Sequence, residues 1–268
     1  MRGVDLMKNQ NELTTDLKLK QGLNIIGLII MITVNALANI LPINDIPTGE
    51  VSDKYENIFT PAGFTFSIWG IIYLSLIILT VYLTVGLIRK KSRSINYIKD
   101  MGYFFFISSI LNSVWIFLWH YELLGASIFV MLGILVSLII IYRKIHLSST
   151  NYRWLTVPFS IYLGWISVAT IANITAWQTA INWGRLGRTE SFWYVILLIV
   201  IILLTGFFLK IFKDYIFTLV ILWSLTGILA KLVEEMALMR VAPIATMLAM
   251  LAIILLAIKE TGGKINFR

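Results

Sequence analysis

The sequence predicts an all-α membrane protein of eight transmembrane helices, and three observations predict it. First, 59% of the 268 residues are hydrophobic and 13% are charged, against about 25% charged in a soluble domain. Second, mean hydropathy is +0.86, and the apolar residues gather into runs near the roughly 20 residues that span a bilayer. Third, the basic residues fall into alternate connections between those runs, as topology requires.

In chain order, residues 1–21 are polar and mixed in charge. They are expected to form a cytoplasmic tail rather than a signal peptide, because the following run is of span length and lacks a small-residue cleavage site. The first span, 22–42, carries Asn35 and Asn39 four residues apart, a spacing suited to tying it to a neighbouring helix. Residues 43–61 form the longest connection. Pro42, Pro47, Gly49 and Pro61 punctuate it, and Asp45, Glu50, Asp53 and Glu56 stand against Lys54 alone. The second span, 62–88, opens behind Pro61, where a first-turn proline loses no hydrogen bond. Trp69 and Tyr73 then lie one turn apart on one face, with Gly63 and Gly70 allowing close helix contact. The third span, 100–119, holds Ser108, Ser109, Asn112, Trp115 and Trp119, and a fourth follows at 122–142. Trp119 and His120 sit where an interfacial belt is expected.

The fifth span, 154–177, is the most unusual. An uncharged stretch from Val157 and Pro158 carries Tyr162, Trp165, Ala169, Asn173 and Trp177. The last four are spaced by four, so they drift slowly around one helix face. Two indole surfaces, a small residue between them and an amide make a wall suited to a flat, mostly apolar ligand. Helix packing is the alternative reading, for this face and equally for Trp69 and Asn112, since a mid-span Asn faces either another helix or a cavity. The loop 178–191 separates these Trp- and Asn-rich spans from three plainer ones at 192–209, 214–231 and 240–258. Lys231, Glu234, Glu235 and Arg240 crowd the last turn, which reads as solvated rather than as a proton relay.

Of the 22 Lys and Arg residues, 17 lie in the N-terminal tail, the turns after spans two, four and six, and the C-terminus. Lys54, Arg185, Arg188, Lys231 and Arg240 are the five on the other side. Both termini are therefore expected in the cytoplasm of a multi-pass protein of the cell membrane, with a bacterial plasma membrane the natural setting. The net charge of +8 is topology signal, not a nucleic-acid footprint. Cysteine is absent and the only histidines are His120 and His146, so neither a thiolate nor a zinc centre is expected. No nucleophile–base order, phosphate loop or intramembrane carboxylate pair is present. The sequence thus points to binding without catalytic residues, metal or cofactor.

Three blocks together resemble the tryptophan-rich sensory protein or translocator protein family (TspO, the peripheral benzodiazepine receptor type). Pro61-x-Gly63 with Trp69 and Tyr73 is similar to the block opening that family's second helix. Asn112-x-x-Trp115 is similar to its third-helix element. Pro158, Tyr162, Trp165, Ala169, Thr170, Asn173 and Trp177 match its fifth-helix signature. The resemblance covers roughly residues 22–180. It implies a five-helix bundle that binds or translocates porphyrins, other tetrapyrroles or benzodiazepine-like molecules between helices two, three and five. Carried over by position, it nominates Trp69, Tyr73, Asn112, Trp115, Trp165, Ala169, Asn173 and Trp177. Two departures bear on specificity: an acidic loop with Tyr55 and Phe59 replaces a Trp-containing, Pro-rich lid, and Ala62 stands where a second proline is usual.

The expected organisation is a tail (1–21), a five-helix bundle (22–180) and a three-helix extension (181–268) packed alongside it. Expected partners are the bilayer, a small hydrophobic ligand and, as an open alternative, a second copy in a homodimer. The competing function is a sensor or scaffold whose tryptophans pack helices or bind a protein partner. Light-dependent tetrapyrrole breakdown ranks below both. Reporter fusions after residues 50 and 95 should report opposite sides, external and cytoplasmic respectively; the same side from both would overturn the span count at its start.

Overall fold

The structure is a computed structural model that describes residues 2–41, 43–232 and 237–260. Pro42, Lys264, Arg268 and the Glu234–Glu235 pair lie outside them. Ten α-helices are described: α1 (Arg2–Ile40), α2 (Thr48–Lys54), α3 (Ile68–Ile88), α4 (Ser92–Met101), α5 (Phe104–His120), α6 (Leu124–Leu147), α7 (Val157–Ala180), α8 (Glu190–Phe212), α9 (Tyr215–Lys231) and α10 (Ala237–Glu260). The polar tail simply continues the first span as helix, since residues 4–21 contain neither Gly nor Pro to stop it.

Among the described residues, five helical segments are long and apolar enough to cross a membrane, and a bent pair makes a sixth. By length and composition, the described residues thus supply five or six of the eight expected spans. Tyr215–Lys231 and Arg240–Leu256 are shorter apolar helices, at the lower limit for a roughly 30 Å hydrocarbon core. The bent pair is α4 and α5, which meet at 51°. Gly102 at the break has φ +59, a conformation that costs a glycine little. Asn24 of α1 seals the break: its Nδ2 donates to the Gly102 carbonyl (3.3 Å) and its Oδ1 accepts the Phe106 N–H (3.0 Å). Buried in apolar surroundings, these backbone groups would otherwise lack partners.

α1, α5, α6 and α7 pack in succession, and α3 closes the bundle against α1 and α7. Its centre holds Met31, Leu76, Phe105, Ile134, Phe159 and Tyr162, all buried. Polar side chains fasten the helices: Gln21 Nε2 donates to Thr84 Oγ1 of α3 (2.9 Å), and Asn35 Nδ2 donates to Asn112 Oδ1 (2.8 Å). Asn35 therefore ties span one to its neighbour as its position suggests.

The C-terminal helices are not strung along the edge in chain order. α7 and α8, though consecutive, diverge, and α9 takes the place beside α7 while α8 and α10 pack on α9. Gly164 makes this approach possible, because a Cβ there would lie 3.0 Å from the Val220 Cβ. α9 also seats the head of α3. The Ala62 N–H donates to the Gly227 carbonyl (3.0 Å), Trp223 Nε1 donates to the Thr65 carbonyl (3.0 Å), and a Cβ on Gly227 would overlap the Thr65 side chain. α3 and α7 are in direct contact, and α9 packs against α7 and the 3-10 turn before α3.

Gly227→Leu should lower the melting temperature of the purified protein, with overpacking costing about 1–3 kcal/mol. Gly206→Leu is the matched control, since a Cβ there meets nothing within 4 Å; its effect should stay within about 0.5 kcal/mol.

Candidate functional site

The aromatic residues singled out in the sequence converge at the end of the bundle that carries the 43–61 loop. Trp69, Trp115, Trp165, Ala169 and Asn173 line one cavity of about 40 Å³ between α3, α5 and α7, roofed by Ser52, Thr60 and Pro61. That is room for about three waters. The indoles form an interlocked set. Trp69 stacks on Tyr73 (5.5 Å between ring centres) and meets Trp165 edge-on (6.2 Å), and Phe66 packs edge-on against Trp165 (5.8 Å).

Trp115 and Asn173 act as one unit. Trp115 Nε1 donates to Asn173 Oδ1 (2.8 Å), and Asn173 Nδ2 donates to Ser127 Oγ (2.8 Å), which in turn donates to the Leu124 carbonyl (2.8 Å). This chain joins α5, α7 and α6, and uses up most of the amide that the sequence suggested as an orienting group. The Trp165 indole N–H, by contrast, is buried with no partner.

Three nominated residues lie outside the cavity wall. Tyr73 supports Trp69 from behind. Asn112 is fully buried and accepts from Asn35, so its mid-span amide serves helix contact. Trp177 is 36% exposed and packs over Gly125, where a Cβ would meet its Nε1 at 3.2 Å; the drift of a four-residue spacing has carried it off the cavity face.

Trp119 and His120, expected in an interfacial belt, are buried. Trp119 stacks on Trp115 (5.5 Å), lines the cavity and donates from Nε1 to the Thr48 carbonyl (3.1 Å). His120 shares a hydrogen bond between Nε2 and Thr48 Oγ1 (2.9 Å), and its Nδ1 donates to the Ile43 carbonyl (3.0 Å). Position near a span end had suggested water; the folded-back loop supplies protein instead. Trp119 could have been found from its place one turn after Trp115. Ala172 and Ala176, also wall residues, could have been found from the small-residue stripe they continue from Ala169.

The loop is thus a lid with three fastenings. Thr48 is held by Trp119 and His120. Lys54 Nζ pairs with Glu122 Oε1 (2.6 Å), and the Tyr55 hydroxyl donates to the same carboxylate. Lys231 of α9 pairs with Asp53 and, at 3.4 Å, with Glu56. The hydrogen bond from Lys54, then that from Tyr55, holds the Glu122 carboxyl below the ordinary carboxylate range. Donating to the Glu122 carboxylate pushes the Tyr55 phenol up to about 12.

The family model for TSPO-like proteins matches residues 21–258. This chain belongs to the TSPO-like protein family. The match runs through α8, α9 and most of α10, so the family pattern includes the C-terminal helices as well as the tryptophan-lined bundle. No match was found among curated proteins or among solved structures.

The Glu122 fastening has a signed pH dependence. A carboxyl whose pKa is lowered on folding stabilises above its ordinary value, near 4.3, and loses that contribution as pH falls through the lowered value. The raised Tyr55 stabilises below its ordinary value and loses its contribution as pH climbs through about 12. Amide exchange across residues 48–56, corrected for intrinsic rates, should therefore be slower in wild type than in Glu122→Gln at neutral pH. The difference should vanish in acid below the ordinary carboxylate range.

Proposed function

We propose that this TspO-type membrane protein binds, and translocates, a flat apolar ligand of the tetrapyrrole class at the tryptophan-lined cavity, without catalysing a reaction on it. The observation that carries this reading is the convergence of four indoles and the Ala169–Ala172–Ala176 stripe under a fastened lid. Trp69, Trp165 and Trp119 offer ring faces and edges worth about 0.5–1.5 kcal/mol per aromatic pair beyond their area. The unpartnered Trp165 N–H would gain an acceptor from a ligand carboxylate, relieving a penalty on the order of 1–3 kcal/mol.

Binding requires the lid to lift, because about 40 Å³ is far below the roughly 300–1,000 Å³ of a drug-sized site. Apparent affinity then scales with the open fraction. In this reading α9 and α10 complete eight spans and both termini are cytoplasmic, in line with the 17-to-5 basic split.

One observation favours the competing sensor or scaffold reading: Trp115, Asn173 and Asn112 all have hydrogen bonds to neighbouring helices. Binding measurements separate the two. With protoporphyrin and tryptophan quenching as readout, Ala169→Leu should weaken binding by about tenfold or more, a change of about 1.4 kcal/mol per decade, while the melting temperature holds. Trp165→Ala should lose more than Trp177→Ala, and Glu122→Gln should bind more tightly than wild type by freeing the lid. Unchanged binding in Ala169→Leu would leave the packing reading in possession.

A further inference from the structure

A cavity larger than the tryptophan-lined one also lies near the loop end. A cleft of about 520 Å³ lies between α7 and α8, roofed by Asn57, Ile58 and Phe59. α7 and α8 diverge, and α9 packs against both. Its walls change character along the helix axis. Deep in the cleft are Ile171 and Ile174 of α7 and Leu197 of α8; toward the loop end are Gln178, Asn182 and Arg185. Ile171 and Gln178 are separated by about 10 Å of helix rise.

Hydrocarbon alone does not call for such groups on a lipid-facing seam. The polar end is a built structure. Trp193 Nε1 donates to the Arg185 carbonyl (2.9 Å) and its ring packs on Trp183 (5.1 Å). Glu190 accepts the Ile58 N–H (3.0 Å) and pairs only loosely with Arg185 (3.4 Å). Arg188 lies over the Phe192 ring (5.5 Å). Arg185 and Glu190 both line the cleft, and Arg188 beside them leaves the turn with one net positive charge.

We propose that the α7–α8 cleft is a binding site for an anionic glycerophospholipid of the adjoining leaflet. One acyl chain lies against Ile171, Ile174 and Leu197. The phosphate sits at Arg185, with the Gln178 and Asn182 amides as further donors. The volume falls within the range of small-molecule sites, and the apolar-to-polar gradient runs in the direction a lipid presents. The cleft shares no lining residue with the tryptophan-lined cavity, although Phe59 of the one adjoins Thr60 and Pro61 of the other.

The test is native mass spectrometry of the purified full chain equilibrated with equal amounts of phosphatidylglycerol and phosphatidylcholine of identical acyl chains. Wild type should retain one phosphatidylglycerol. Ile174→Trp and Leu197→Trp, which fill the cleft from opposite walls, should each abolish retention, with melting temperature confirming the fold. Arg185→Gln should cut the preference for the anionic lipid about fivefold, the scale of one arginine at an anionic surface. Ala169→Leu should retain lipid like wild type, which keeps this result independent of tetrapyrrole binding. Equal retention by wild type and both filling variants would overturn the site. Equal retention of the two lipids by wild type, or displacement by equimolar oleate, would overturn the anionic phospholipid as its occupant.

Discussion

The hydrogen-bond chain from Trp115 through Asn173 to Ser127 is the constraint on which the rest of the bundle depends. An indole and an amide within the membrane-spanning bundle have little water to turn to, and Trp115 and Asn173 satisfy each other. Interhelical hydrogen bonds in membranes average only about 0.6 kcal/mol. Their directionality matters more than that sum, because it fixes the rotation of α5 and α7 about their own axes. Once Trp115 points at α7, Trp119 one turn on must point at the loop, and Trp165 and Ala169 must face α3.

The lid follows from the same register. Thr48 can be gripped from both its hydroxyl and its carbonyl only because Trp119 and His120 are consecutive at the end of α5. The acidic character of the 43–61 loop is also explained by its partners. Asp53 and Glu56 meet Lys231 of α9, while the loop's own Lys54 turns to Glu122. A loop that looks like solvent-facing punctuation in sequence is a cover held at both edges by opposite charge.

Much of this was legible in the sequence because membrane solvation is a strong constraint. Helix positions, the tie made by Asn35, and the convergence of Trp69, Trp115, Trp165, Ala169 and Asn173 all follow from apolar runs interrupted by groups that lipid does not reward. The misreadings have physical sources. Trp119 and His120 looked interfacial because a sequence shows distance from a span end but not a loop folded back over it. Trp177 shared the right spacing yet faces another partner, since 3.6 residues per turn carries a four-residue series off its face, and Asn112 turns to Asn35 of α1. Asn24 was missed because its role exists only where the Gly102 break presents a bare backbone N–H and C=O. The order of packing in the C-terminal half was not legible at all. Small residues such as Gly164 and Gly227 mark a close approach without naming what approaches.

The contact between Gly227 and the head of α3 has a consequence for how the chain is made. The acceptor for the Ala62 N–H and the indole that caps Thr65 both belong to α9, the ninth of the ten helices to leave the ribosome. The first five apolar helices can enter the bilayer and find one another before then, but the start of the second span has no completed seat until residues 223–227 have been inserted. Biosynthesis therefore leaves the last fastening of the roof over the tryptophan-lined cavity, the one made by α9, to the late stages of assembly. A nascent chain stopped after α7 would keep the Thr48 and Glu122 fastenings of its lid but lack the Lys231 fastening and the α9 seat for the head of α3.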